Sequence, residues 1–496
     1  MTGLEKKLTA ENADLRAEIG DLKEQLAWLQ KQVFGKKSER IIAEDHPTLG
    51  LDVDSNLAPE AHKTKVKAHN RSRKGMTYDR FEIPEGLREE KITVDVPEKD
   101  RVCKETGEPL VLWKTEESRK LAYKPGEFYV KNFLRPIYKS PLKNSNELVI
   151  APMPGSPIPK SRADVTLLTY ILIMKFADHL PLYRIEEIFK RDGINIQRQT
   201  LGGWVLKMGE VLSPLYELML EKILQSPRLF TDATTINYLI KGKGSQKGFM
   251  YVYSGGENQI QGKSPPYLAY QFAPDGTHKH PEKYLDRFQG LLHSDAHACY
   301  DKTSMRRNVS WQPCWAHARR KFVEAGAGPK KVKDQIIELI RNIFMNERKA
   351  WELSREERMT FRQDKQQKLC DELFGIIEEQ VNGPLLPKDK YSQALKYIYG
   401  RKKHFLTFLD NPDAVIDNNL SERFMKPLVI GRKNWLFLGN KDSGKSTAAI
   451  LSLVQTCRHL GINPQQYLEF VLENILEWNS QKLDLLLPDV WINNRE

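Results

Sequence analysis

The stretch RLFTDATTINY, residues 228–238, decides the reading of the fold. Aromatic and β-branched residues crowd it, and such side chains suit a pleated, half-buried strand better than a helix. It also marks a change of period. Residues 163–225 read as helices, with a helix over 182–191, a turn at Asp192-Gly193 and a second helix over 197–208. After 228 come strand-like runs at 249–253 and 267–272, with turns marked by Gly255-Gly256 and Asp275-Gly276. A helix at 281–288 comes next, then an apolar strand at 290–293 ending on Ser294-Asp295, then a strand at 309–313 leading into a helix near Ala316.

Three meandering strands, a helix, a strand and further α/β units give the order of a ribonuclease-H-like sheet, which we take as a catalytic core over 227–325 and 411–450. The charged, almost wholly helical stretch 326–410 interrupts it as an insertion. Beyond it we expect a helix over 417–428, a strand over 434–438, and a C-terminal helical region, 451–496. The predicted fold class is multidomain α+β.

Upstream, Leu8, Leu15, Leu22 and Leu29 recur every seventh residue, with Asn12, Ile19, Leu26 and Val33 at the matching a positions. One buried Asn at an a position favours a parallel dimer in fixed register, so residues 1–35 are expected to form a coiled coil that makes the protein a homodimer. Residues 36–78 read as a basic linker, with Lys63, Lys65, Lys67, Arg71, Arg73 and Lys74 close together. Short apolar runs punctuated by Pro and Gly over 79–160, among them 127–135 and 148–150, predict a small β-rich domain.

Lys plus Arg total 77 against 65 acidic residues, a net charge of +12, which suits a polyanionic partner such as DNA. The five cysteines form no C-x-x-C pair, and the N-terminus is charged from Glu5 onward, so the chain reads as cytoplasmic. No apolar stretch approaches the roughly 20 residues a membrane helix needs. Within 161–226 the helix, Gly-containing turn and helix match a DNA-binding helix-turn-helix, with Gln197, Arg198, Gln199 and Thr200 opening the second helix where base-reading residues sit. An ordinary helical hairpin reads the same way.

Cutting and rejoining a phosphodiester needs two hard cations held by a few carboxylates. Asp232 lies inside the first strand and Asp295 at the end of the fourth, on neighbouring strands of such a sheet. Each Asp is equally suited to capping a turn, and Glu422 to closing a capping box on Asn419.

Three blocks narrow the choice. DNNLSERFMKPLVIGRKNWLFLG (417–439), CWAHARRKF (314–322) and ADHLPLYR (177–184) closely resemble insertion-sequence-66-type transposases, and the leucine repeat ending in Phe34-Gly35 fits as well. The resemblance runs through nearly the whole chain in the same order. It implies the DDE mechanism, in which water and then a DNA 3′-hydroxyl attacks phosphorus at a metal-holding acidic triad. Carried over, the triad is Asp232, Asp295 and Glu422, holding Mg²⁺ or Mn²⁺. The DNA partners implied are the element's terminal inverted repeats and the target, with accessory proteins from the same element. His317, Arg319, Arg320, Arg423, Lys426, Arg432, Lys433 and Trp435 are the residues expected to hold DNA near the triad. Relatives carry a four-cysteine zinc-ribbon-like segment where this chain keeps only Cys103, so the β-rich domain is a degenerate version and no zinc is expected.

One motif points elsewhere. GNKDSGKS, residues 439–446, matches the P-loop pattern G-x-x-x-x-G-K-S. The chain beyond it is short and helical, with no room for the parallel sheet of a nucleotide-driven helper ATPase. The other alternative is a non-catalytic dimeric DNA-binding protein with a decayed site.

Overall fold

The computed structural model describes residues 126–132, 137–139, 148–150, 155–159, 161–255, 266–326, 328–386, 389–476 and 480–494. The expected coiled coil, the basic linker and Cys103 lie outside them. Two compact units divide the chain, one over 52–152 and the other including 153–496. In the first, β1 (Ile137–Lys139) pairs antiparallel with β2 (Leu148–Ile150). Residues 126–132 take no regular structure, unlike the strand expected from 127, and 133–135 of that run lie outside the described residues.

In the second unit, Asp164 caps α1 (Val165–Phe176) by accepting from the Thr166 amide. α2 (Leu182–Arg191) ends where Gly193 takes φ +79°, a left-handed conformation that glycine adopts without steric cost. α3 (Arg198–Leu224) then runs far beyond the expected end at 208, because its buried face (Leu212, Leu215, Met219, Ile223) packs against the core.

The sheet carries β3 (Arg228–Ile240), β4 (Gly244–Ser254), β5 (Leu268–Ala273), β6 (Gly290–Ser294) and β7 (Val309–Pro313), in the order β5-β4-β3-β6-β7. The first three meander antiparallel, and β6 and β7 continue parallel to β3. α4 (Lys279–Leu285) and α5 (Asp301–Ser304) form the connections on either side of β6.

Beyond β7 come α6 (Trp315–Glu324), α7 (Lys330–Ala350), α8 (Arg355–Phe361), a π-helical turn (Arg362–Gln366), α9 (Gln367–Asn382), α10 (Lys390–Tyr399), α11 (Lys402–Phe405) and α12 (Thr407–Asp410). A fully buried ion pair holds this helical block together. Arg362 donates from Nε and Nη2 to both carboxylate oxygens of Glu347, at 3.0 and 2.6 Å. Its remaining donors reach the carbonyls of Phe408, Asn411 and Ala414. Such a pair is tolerable in an apolar interior only because nearly every donor and acceptor is used.

α13 (Asn419–Trp435) then returns to the sheet, β8 (Phe437–Leu438) pairs parallel with β3, and α14 (Lys441–His459), α15 (Pro464–Asn474) and α16 (Pro488–Asn493) complete the unit. The expected break at 428 and strand from 434 are replaced by one helix. Pro427 is accommodated inside it, and Gly431 is needed because a Cβ there would lie 2.5 Å from the Trp435 ring. No helix among the described residues is long and apolar enough to cross a membrane.

Candidate active site

β3 shares one edge between two short partners. β6 pairs with residues 228–230 and β8 with 237–238, leaving the edge in between without a strand. α13 fills that gap with side chains. Asn418, directly before the helix, donates from Nδ2 to the Thr231 carbonyl at 2.8 Å, and its Oδ1 accepts from Ser421. Further along, Arg432 Nη1 donates to the Thr235 carbonyl and to Thr234 Oγ1. The helix thus substitutes for a missing strand, which fixes its first turn beside Asp232.

Asp232 is half-buried on β3 and accepts the Ala233 amide at 2.8 Å. Asp295 follows the last residue of β6, and the Tyr397 hydroxyl accepts the next amide, that of Ala296, at 2.9 Å. Glu422 sits in the first turn of α13. Its Oε1 lies 3.6 Å from His317 Nε2 and 3.7 Å from Arg320 Nη2, both on α6, and has no hydrogen-bond partner among the described residues.

Asp232 feels the other two acids. Burial pushes the Asp232 carboxyl up to about 7, and the negative charges of Asp295 and Glu422 add to the push, while the Ala233 amide and Arg320 oppose it. Burial likewise holds the His317 imidazole below its usual value, against the pull of Glu422 and Asp295. His317 and Arg320 thus stand against Glu422, and the Asp232 carboxyl senses Asp295, Glu422 and Arg320. Among the described residues no three His, Cys, Asp or Glu side chains form a ready-made metal cage. The donor chemistry nevertheless suits Mg²⁺, which takes oxygen ligands, usually keeps several waters and needs only one or two carboxylates.

The other expected contacts are distributed unevenly. Gln197, Arg198, Gln199 and Thr200 are exposed at the start of α3. Lys426 and Lys433 are exposed on α13, and Arg423 is half-buried with its guanidinium over the Phe424 ring. Arg319 is half-buried on α6. Arg432 is spent on β3, and Trp435 is buried, with Lys175 Nζ 4.5 Å from its ring centre and Phe176 at its edge. Sequence reasoning misses Asn418, Tyr397 and also His293, whose Nε2 accepts the Val415 amide at 3.0 Å. Only Asn418 leaves a signal, as part of the 417–439 block.

The P-loop-like segment is not a loop. Asn440 and Ser443 form a reciprocal cap, and residues 441–446 are the opening turns of α14. Its small residues serve packing. A Cβ on Gly444 would lie 2.6 Å from the Phe272 ring, and Ser446 sits where a Cβ on Gly209 would meet it at 2.3 Å. Lys445 pairs with Asp442 on the surface.

Comparison with known proteins fits a transposase architecture. Residues 160–446 match the model described as Transposase IS66 family, and 452–488 match the IS66 C-terminal element. Residues 21–92 match a model described as Transposase C of IS166 homeodomain. The chain belongs to the IS66 transposase family. Among its relatives are two uncharacterized proteins of Sinorhizobium fredii. y4qI is 29% identical, with 97% of this chain and 91% of that protein covered, and y4jD is 27% identical, with 95% and 94% covered.

Proposed function

We propose that the chain is a DNA transposase that binds its element's ends and catalyses metal-dependent cleavage and strand transfer at Asp232, Asp295 and Glu422. The observation that carries this reading is geometric: the Asn418–Thr231 hydrogen bond anchors the opening turn of α13, which bears Glu422, beside Asp232, whose carboxyl is raised by burial first and by the charges of Asp295 and Glu422 after it. A buried carboxyl with a raised pKa beside other acids marks a functional site more often than chance. The strand order, three antiparallel followed by two parallel, supports a ribonuclease-H-like core. The family supports DNA as partner.

Bound Mg²⁺ or Mn²⁺ would activate the attacking oxygen and hold the leaving one. The chain's own groups do the rest. Asp232 and Asp295 offer oxygen ligands from adjacent strands. Glu422 offers a third from α13, steadied by Asn418. Arg320 places a positive charge beside them, where it neutralises a phosphate drawn into the site. His317, neutral through burial, leaves that cationic role to Arg320. Exposed residues at the start of α3 and on α13 bind DNA, the former as the reading helix of a helix-turn-helix.

Replacing Asp232 with Asn keeps shape and removes the charge. Cleavage of DNA bearing the element's ends should vanish, while DNA affinity stays and falls roughly 10³-fold or more between about 50 and 200 mM salt if six or more phosphates are contacted. Full cleavage by D232N would sink the triad.

A further inference from the structure

The exposed face of α13 changes character along its length. From Lys426 it runs through Ile430 and Lys433, spaced three and four residues apart, and ends on Leu436 and Phe437. The last two and Ile430 are large apolar side chains standing in solvent, 65%, 46% and 49% exposed. Leu436 also has φ +69° and ψ −46°. A branched, non-glycine residue there carries strain of about 1–3 kcal/mol, which persists only where the surroundings impose it. Here they do. Trp435 is wedged between Gly431, Phe176 and Lys175, and Phe437 and Leu438 are paired to β3. The tip is therefore apolar, exposed and rigidly aimed.

We propose that the 436–437 tip is a stacking wedge for an unpaired nucleobase of DNA lying along α13. The inference rests on DNA being the partner and goes beyond it by naming where an unpaired base goes. Charge complementarity selects the occupant. Lys426 and Lys433 are exposed on the helix leading to the tip, which favours an anionic partner that also offers flat apolar faces. A DNA strand with a base out of its stack does both, and base–aromatic stacking contributes about 1–3 kcal/mol per base. At about 1.5 Å rise per residue, Leu436 lies roughly 21 Å along the helix from Glu422. That is about six nucleotides at 3.4 Å each.

The test uses the full chain, without divalent metal, and a forked duplex carrying 5-iododeoxyuridine at its unpaired nucleotides. Irradiation should cross-link that base to the peptide containing Phe437. The Phe437→Ala variant should lose the cross-link and bind the fork about fivefold or more weakly, with blunt-duplex affinity unchanged. Phe437→Trp should restore both, which excludes misfolding as the cause. Fork binding with cross-links only elsewhere overturns the wedge and leaves the transposase reading standing. Absence of any DNA binding removes both. A drop in molecular mass for Phe437→Ala, with no cross-link in the parent, would assign the tip to a second copy of this chain instead.

Discussion

Asn418 Nδ2 donates to the carbonyl of Thr231 across 187 positions of sequence, in a buried setting. One hydrogen bond thus ties the residue before Asp232 to the turn that opens the Glu422 helix. Asn418→Ala should leave the Thr231 carbonyl unpaired and cost about 1–3 kcal/mol, read as a lower unfolding midpoint. Under the proposed mechanism the variant should also need more Mg²⁺ for half-maximal cleavage. An unchanged midpoint would show the bond to be dispensable.

Arg362→Met should be far more damaging. It strands Glu347, which is 0% exposed, and removes bonds to the carbonyls of Phe408, Asn411 and Ala414. The expected loss is about 3–5 kcal/mol by denaturant unfolding. Adding Glu347→Met should recover a large part of it, since the uncompensated charge goes. A double variant no better than the single would locate the cost in the lost carbonyl bonds.

Lys175 gives a pH dependence. Burial lowers its ammonium to about 8 from 10.5, with the Trp435 face offsetting part of the cost. Between these values the unfolded chain holds more protons than the folded one, so this group makes stability rise as pH rises from about 8 to 10.5. Below pH 8 it carries its full penalty, roughly 3–4 kcal/mol. Lys175→Met should therefore stabilise the protein at pH 7 and flatten the rise above pH 8. Parallel pH–stability curves for parent and variant would contradict this.

Gly444→Ala and Lys445→Ala separate packing from nucleotide chemistry. The first pushes a methyl group into the Phe272 ring and should cost about 1–3 kcal/mol. The second removes an exposed ion pair and should shift stability by less than about 1 kcal/mol. Neither should alter an ATP response, because residues 441–446 are helical. Saturable ATP binding lost in Lys445→Ala would reverse that reading.

The strands of the sheet are legible because their side chains alternate or run apolar between clear turn residues. β4 reads too short because its start, GSQK, is polar and exposed, so nothing apolar announces the ladder. α13 reads as ending at 428 because Pro427 and Gly431 look like breakers when taken locally. Only the Trp435 ring shows why Gly431 belongs in a helix. The Gly439 segment misleads in the opposite sense, since a glycine chosen for contact with Phe272 spells the same letters as one chosen for a phosphate. The three acids can be named from the resemblance, but their support cannot. Asn418, Tyr397 and His293 act through partners more than 100 residues away, and no local pattern encodes such distances.

The strandless edge of β3 sets a timetable. Asp232 and Asp295 leave the ribosome well before the segment that closes the gap, and Asn418 follows Thr231 by 187 residues. At about 5–20 residues per second, that interval is on the order of ten to forty seconds. Once Asp295 has been made, the nascent chain has two of the acids but no α13 to join them. The helices between β7 and α13 lengthen that wait, so Glu422 is made only after most of the protein.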